Sequence, residues 1–129
     1  MKKTLLAVVI VAFAATLFTA CTPAATSSKP VVRHVVSFKY KDNTPDADIQ
    51  KVEDAFRALK TKVPGIVSFE CGKNISPEKL NKGFTHLFIL TFNNEADRDA
   101  YLVHPDHKAF CAALGAVADV FVMDIQAKP

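Results

Sequence analysis

The chain has 129 residues, half of them apolar, with ten Phe and no Trp, which suits one compact domain and excludes a disordered or fibrous chain. Its formal charge of +3 includes Lys2 and Lys3, so 14 basic residues face 13 acidic ones elsewhere, and the lysines Lys51, Lys60, Lys62, Lys73, Lys79 and Lys82 are scattered among acids. Nothing in that distribution forms the one-sided basic face of a nucleic-acid binder, and no nucleic-acid partner is expected.

Met1 to Ala20 opens with two lysines, runs through apolar residues from Leu5 to Phe18 and closes on Thr19 and Ala20 before Cys21, the three-part layout of a secretory signal. The apolar run is shorter than the roughly 20 residues a spanning helix needs. Leu17-Phe18-Thr19-Ala20-Cys21 resembles the bacterial lipobox, with Phe18 where that pattern prefers Leu. The resemblance implies cleavage before Cys21, lipid attachment to its thiol and a place on the periplasmic side of a bacterial membrane. Ordinary signal-peptidase cleavage, giving a soluble periplasmic protein, is the alternative. Residues 21–30, small, polar and proline-punctuated, read as the lipidated Cys and a flexible tether.

From Val31 to Gln126 the pattern is that of a domain. Val31 to Tyr40 alternates so that His34, Val36, Phe38 and Tyr40 share one face of a strand. Between Asp46 and Lys62 the positions Ile49, Val52, Phe56 and Leu59, continued by Val63, form the apolar stripe of a helix that Pro64-Gly65 ends. Ile66 to Lys73 and Thr85 to Phe92 read as strands, the second placing His86, Phe88, Leu90 and Phe92 on one face. Glu95 to Val103 is helical, Pro105 begins a helical stretch to about Val117, and Val120 to Gln126 is a fourth strand.

The order β-α-β-β-α-β predicts an α+β, ferredoxin-like sandwich. Its strands are apolar in both parities, so the sheet face away from the helices needs a cover. A second copy, packing sheet on sheet into a dimeric α/β barrel, is the expected one. Cys71 and Cys111 lack CxxC spacing and read as buried small hydrophobes, with a disulfide between them allowed but not indicated.

His34-Val35-Val36-Ser37-Phe38-Lys39, Val63-Pro64-Gly65-Ile66, Gly83-Phe84-Thr85-His86 and His104-Pro105-Asp106-His107-Lys108-Ala109-Phe110, taken together and in order, resemble the stress-responsive dimeric α/β-barrel (Dabb) family. A plant member of that family is a polyketide cyclase working by intramolecular aldol condensation. The resemblance implies a catalytic pair at Tyr101 and His107, with His34 and His86 in the pocket and Phe56 where the cyclase has a tyrosine.

Tyr101 and His104 end one helix and Pro105 places His107 in the first turn of the next, so both histidines are expected at one corner. There His107 would act as acid or base and Tyr101 as donor to a carbonyl, in a pocket lined by His34, His86, His104, Phe38, Phe56, Phe88 and Leu90 that takes a small apolar ligand. No cofactor is implied. Two other readings stay open: a metal held by His104 and His107 with His34 or His86, and a structural or stress-protective dimer in which the histidines are satisfied within the fold.

Overall fold

The computed structural model describes residues 29–127; the leader, Cys21 and the tether up to residue 28 lie outside the described residues. Seven elements follow in chain order: β1 (Val31–Tyr40), α1 (Asp46–Lys62), β2 (Ile66–Lys73), β3 (His86–Phe92), α2 (Glu95–Val103), α3 (Pro105–Ala112) and β4 (Val117–Ala127). The strands form one antiparallel sheet in the order β2-β3-β1-β4, a ferredoxin-like α+β fold.

α1 has no side-chain cap at Pro45, but Asp46 and Asp48 sit in its first turn and Lys60 and Lys62 in its last, which complements the helix dipole at both ends. It stops where Val63 turns extended and Gly65 adopts φ 93°, a conformation that favours glycine; a Cβ there would also lie 3.2 Å from that of Asp97. The break before Pro105 falls where the sequence places it, and only the stretch after it is shorter than expected. His104 is extended (ψ 138°), as a residue before proline tends to be, so it separates α2 from α3. α3 then ends at Ala112, because Val117 N–H bonds the Leu114 carbonyl in a turn through Gly115, and β4 starts at Val117 rather than Val120.

Register decides which side chains meet. His34 pairs with Leu90, Val36 with Phe88 and Phe38 with His86, all on the face beneath the helices. There Phe38, Phe88, Leu90 and Phe92 are sealed against Phe56 and Leu59 of α1, Tyr101 of α2 and Phe110 of α3. The opposite face shows Leu87 of β3 and Phe121, Met123 and Ile125 of β4 to solvent. Edge strand β4 also exposes Val120 and Val122, although their partners Phe38 and Val36 are buried.

Among the described residues no helix is long and apolar enough to cross a membrane. Cys71 is half-buried and Cys111 exposed, and both are free thiols. The expectation of two buried cysteines therefore fails for Cys111.

Candidate functional site

Tyr101 is the centre of the best-defined polar cluster. It stands in the last turn of α2, fully buried, with its ring 4.2 Å from that of His107, 5.6 Å from that of His34 and 5.3 Å from that of Phe92. Its hydroxyl is buried and has no hydrogen-bond partner. Burial, helped by the nearby Cys111, pushes the phenol well above its ordinary pKa, so Tyr101 is a protonated donor without an acceptor. A buried unpaired hydroxyl is costly and calls for an explanation.

Two imidazoles flank it. His34, buried on β1, meets Asp124 on neighbouring β4, with Nδ1 2.6 Å from Oδ1. The other Asp124 oxygen accepts from Arg98 of α2, whose Nε also donates to Asp99 at 2.7 Å. His107 places Nδ1 3.2 Å from the Leu102 carbonyl and Nε2 3.4 Å from the thiol of Cys111. Its pKa is depressed by burial first, with His34 and His104 adding to the effect against the Leu102 hydrogen bond. His104 has a structural role: its Nδ1 accepts from the Asp106 N–H at 3.2 Å and caps α3.

The remaining expected pocket residues do not converge on Tyr101. His86 lies four residues along β1 from the level of His34, on the order of 13 Å at 3.3 Å per residue. It bonds Thr85 Oγ1 through Nδ1 at 2.8 Å, approaches Glu53 at 3.6 Å and stands edge-on to Tyr40 at 5.0 Å. Burial lowers its pKa, Lys73 lowers it further and Glu53 opposes them. Tyr40 repeats the pattern of Tyr101, with an unpartnered buried hydroxyl pushed up to about 12 by burial and then by Glu53 and Cys71.

Between the two histidine levels Phe38, Phe56 and Phe88 interlock with Phe110, with centroid separations from 4.5 Å for Phe56–Phe110 to 6.5 Å for Phe38–Phe110. These rings and Leu90 fill the interior rather than walling an open space. Two concavities lie elsewhere, and neither is lined by Tyr101, His107 or His34. One of about 880 Å³ opens on the uncovered sheet face between Leu87, Ile89, Phe121 and the loop carrying Ile75 and Leu80. The other, about 430 Å³, lies over Glu53, Arg57, Lys73 and His86. No group of three or more His, Cys, Asp or Glu among the described residues is arranged to hold a metal.

Asp124 and Arg98 are not singled out by the sequence, and Cys111 is expected there only as a buried small hydrophobe. Asp124 did leave a signal there: it is an acid in the otherwise apolar run Val120-Phe121-Val122-Met123-Asp124-Ile125.

The family model of the stress responsive A/B barrel domain, Dabb, matches residues 32–127. The stress-response A/B barrel domain-containing protein HS1 of Arabidopsis thaliana is 31% identical over 98 residues, 75% of this chain and 90% of HS1. Olivetolic acid cyclase of Cannabis sativa is 25% identical over 79 residues, 61% of this chain and 78% of the cyclase. The crystal structure of At3g17210 from Arabidopsis thaliana superposes with a TM-score of 0.72 at 29% identity, covering 76% of this chain and 96% of that one. A dimeric protein of unknown function with a ferredoxin-like fold from Bacteroides fragilis gives 0.60 at 26%, covering 75% and 96%. With a family match that spans nearly all the described residues, this chain belongs to the stress responsive A/B barrel domain (Dabb) family.

Proposed function

We propose that this protein is exported, anchored by lipid at Cys21, paired with a second copy through the uncovered sheet face, and specialised to bind a small, largely apolar ligand at the Tyr101 hydroxyl. The catalytic form of the proposal is cyclase-like or isomerase-like proton transfer by the His/Tyr cluster. The single observation that carries the ligand site is the buried, unpartnered Tyr101 hydroxyl between two imidazoles. A ligand carbonyl would satisfy it, and the raised phenol pKa suits a donor that stays protonated while negative charge grows on that oxygen. His107, kept neutral by burial, suits an acid or base working near neutral pH. Access requires side chains at the Tyr101 end to yield, since the aromatic stack fills the space next to it.

The export and anchoring parts rest on the sequence of residues 1–21. Pairing rests on Leu87, Phe121, Met123 and Ile125, an apolar surface that water covers poorly, and on the dimeric description of the Bacteroides relative. The similarity to olivetolic acid cyclase supports cyclase-like chemistry, while Phe56, which lacks the hydroxyl that the resemblance implies for the cyclase, argues for a different substrate.

A structural or stress-protective dimer is the second reading, favoured by one specific set of contacts. Each histidine already has a partner inside the fold: Asp124 for His34, Thr85 for His86, the Asp106 N–H for His104 and the Leu102 carbonyl for His107. Native mass spectrometry of the protein released from its own membrane separates the two readings. The expected species begins at Cys21, carries acyl chains, is a dimer and retains a small molecule that Tyr101→Phe loses. A bare dimer favours the structural reading, a monomer rejects pairing through the sheet, and an uncleaved leader rejects the lipoprotein reading.

A further inference from the structure

The other end of the helix-covered face gathers a second set of polar groups, which the Tyr101 site does not use. Strand pairing puts Cys71 opposite Phe88 and Lys73 opposite His86, so both lie on that face. The Cys71 sulfur accepts from Arg57 Nη2 of α1 at 2.8 Å, and the guanidinium is held over the Phe69 ring, 5.3 Å from its centre. Arg57, Cys71, Lys73, His86 and Glu53 line the concavity of about 430 Å³, a size that suits a small molecule. Two groups here lack partners. The Glu53 carboxylate, 18% exposed, lies 3.6 Å from His86 Nε2, beyond hydrogen-bonding distance, and burial lowers the pKa of that imidazole. Tyr40 is 9% exposed and edge-on to His86, and its hydroxyl has no acceptor although the charges of Glu53 and Cys71 both reach it.

We propose that Cys71 is a covalent site for small disulfides built from α-amino acids, of which cystine is the simplest. Cys71 gives its proton to water and its thiolate attacks one sulfur of the ligand. The S–S bond of the ligand breaks, a bond from Cys71 to the attacked sulfur forms, and the other half leaves as a thiolate that takes a proton from water. The ligand is itself the oxidant: Cys71 is oxidised, the departing half is reduced, and no further reactant is needed. Arg57 stands where negative charge on the Cys71 sulfur meets a guanidinium. For the half that stays, Lys73 and the Tyr40 hydroxyl supply donors to its carboxylate, and Glu53 an acceptor for its ammonium. Exposure alone favours Cys111, the more open thiol. Desolvation of its sulfur pushes that thiol's pKa up, however, and its polar contact is the imidazole of His107 rather than a cation. The proposal is independent of the Tyr101 ligand site.

The test incubates the full chain, reduced and freed of reductant, with cystine, glutathione disulfide or hydroxyethyl disulfide, the last carrying neither carboxylate nor amine. Peptide mapping by mass spectrometry follows the adduct on each cysteine separately. Cys71 is expected to take up cystine about tenfold faster than Cys111 does, and faster than it takes up hydroxyethyl disulfide. Arg57→Gln should lower the Cys71 rate with all three reagents by roughly threefold or more, and Arg57→Lys, which keeps the positive charge, should retain most of it. Glu53→Gln and Tyr40→Phe should each reduce the preference for cystine over hydroxyethyl disulfide. Glutathione disulfide reacting as fast as cystine assigns the recognition to the α-amino carboxylate that the two share, and reacting more slowly assigns it to a cysteine-sized half. Cys111 reacting first, or Cys71 showing no preference for cystine over hydroxyethyl disulfide, overturns the proposal.

Discussion

Beneath the helices, Phe88, Leu90 and Phe92 lose all contact with water, whereas on the other face of the same sheet Leu87, Ile125, Phe121 and Met123 keep 40%, 43%, 47% and 49% of their surface exposed. The two faces draw on the same kinds of residue, and β3 alternates between them one residue at a time. What differs is the neighbour. Three helices lie over one face and none over the other, and even on the covered face they stop short of β4. A single domain thus has enough apolar sheet for two partners and provides only one from its own chain. The Tyr101 cluster sits where these regions adjoin: His34 comes from the covered face of β1, while Asp124 projects from β4, the strand the helices leave bare.

Changing one large side chain on each face tests whether the two faces are divided between core and interface. Phe88→Ala takes a fully buried ring from among Phe38, Phe56 and Phe69 and is expected to cost about 3–5 kcal/mol in urea unfolding. Met123→Asp is expected to change the stability of the isolated fold by about 0.5 kcal/mol or less but to turn the proposed dimer into a monomer in analytical ultracentrifugation. A loss of several kcal/mol from Met123→Asp in a protein that stays dimeric would mean that the two faces are not divided between core and interface.

A smaller effect is common to the two histidine levels. Burial lowers the pKa of both His86 and His107 below the ordinary value of 6.5, so below that pH the unfolded chain binds protons that the folded one refuses. Stability is therefore complete above about pH 6.5 and declines as the pH falls from there toward the depressed folded values. Thermal unfolding followed from neutral pH to about pH 5 is expected to show that decline. His107→Gln and His86→Gln should each flatten it, and a profile unchanged by both would contradict the assignment.

Much of this fold was legible because its signals are local. The alternation of Val31–Tyr40 and the three- and four-residue spacing of Val52, Phe56 and Leu59 depend only on which side of an element faces the core. The start of β4 was not legible: it follows from a turn whose carbonyl at Ala116 also receives the N–H of Lys41, 75 positions earlier in the chain. The site divides in the same way. Tyr101, His104 and His107 are close in sequence, and the structure leaves Tyr101 and His107 ring to ring. His34 and His86, alike in the sequence reading, end at different levels because the β1–β3 register puts one opposite Leu90 and the other opposite Phe38. Asp124 reaches His34 across 90 positions, a contact that only strand pairing creates.

The fold keeps the Tyr101 hydroxyl without an internal partner, an arrangement that the proposed ligand would complete. Comparing wild type and Tyr101→Phe by urea unfolding of ligand-free protein tests this most directly. The variant is expected to be more stable by about 1–3 kcal/mol, the cost of a buried unpaired polar group. A loss of comparable size would mean that the hydroxyl is satisfied within the protein, and the ligand site built on it would fall.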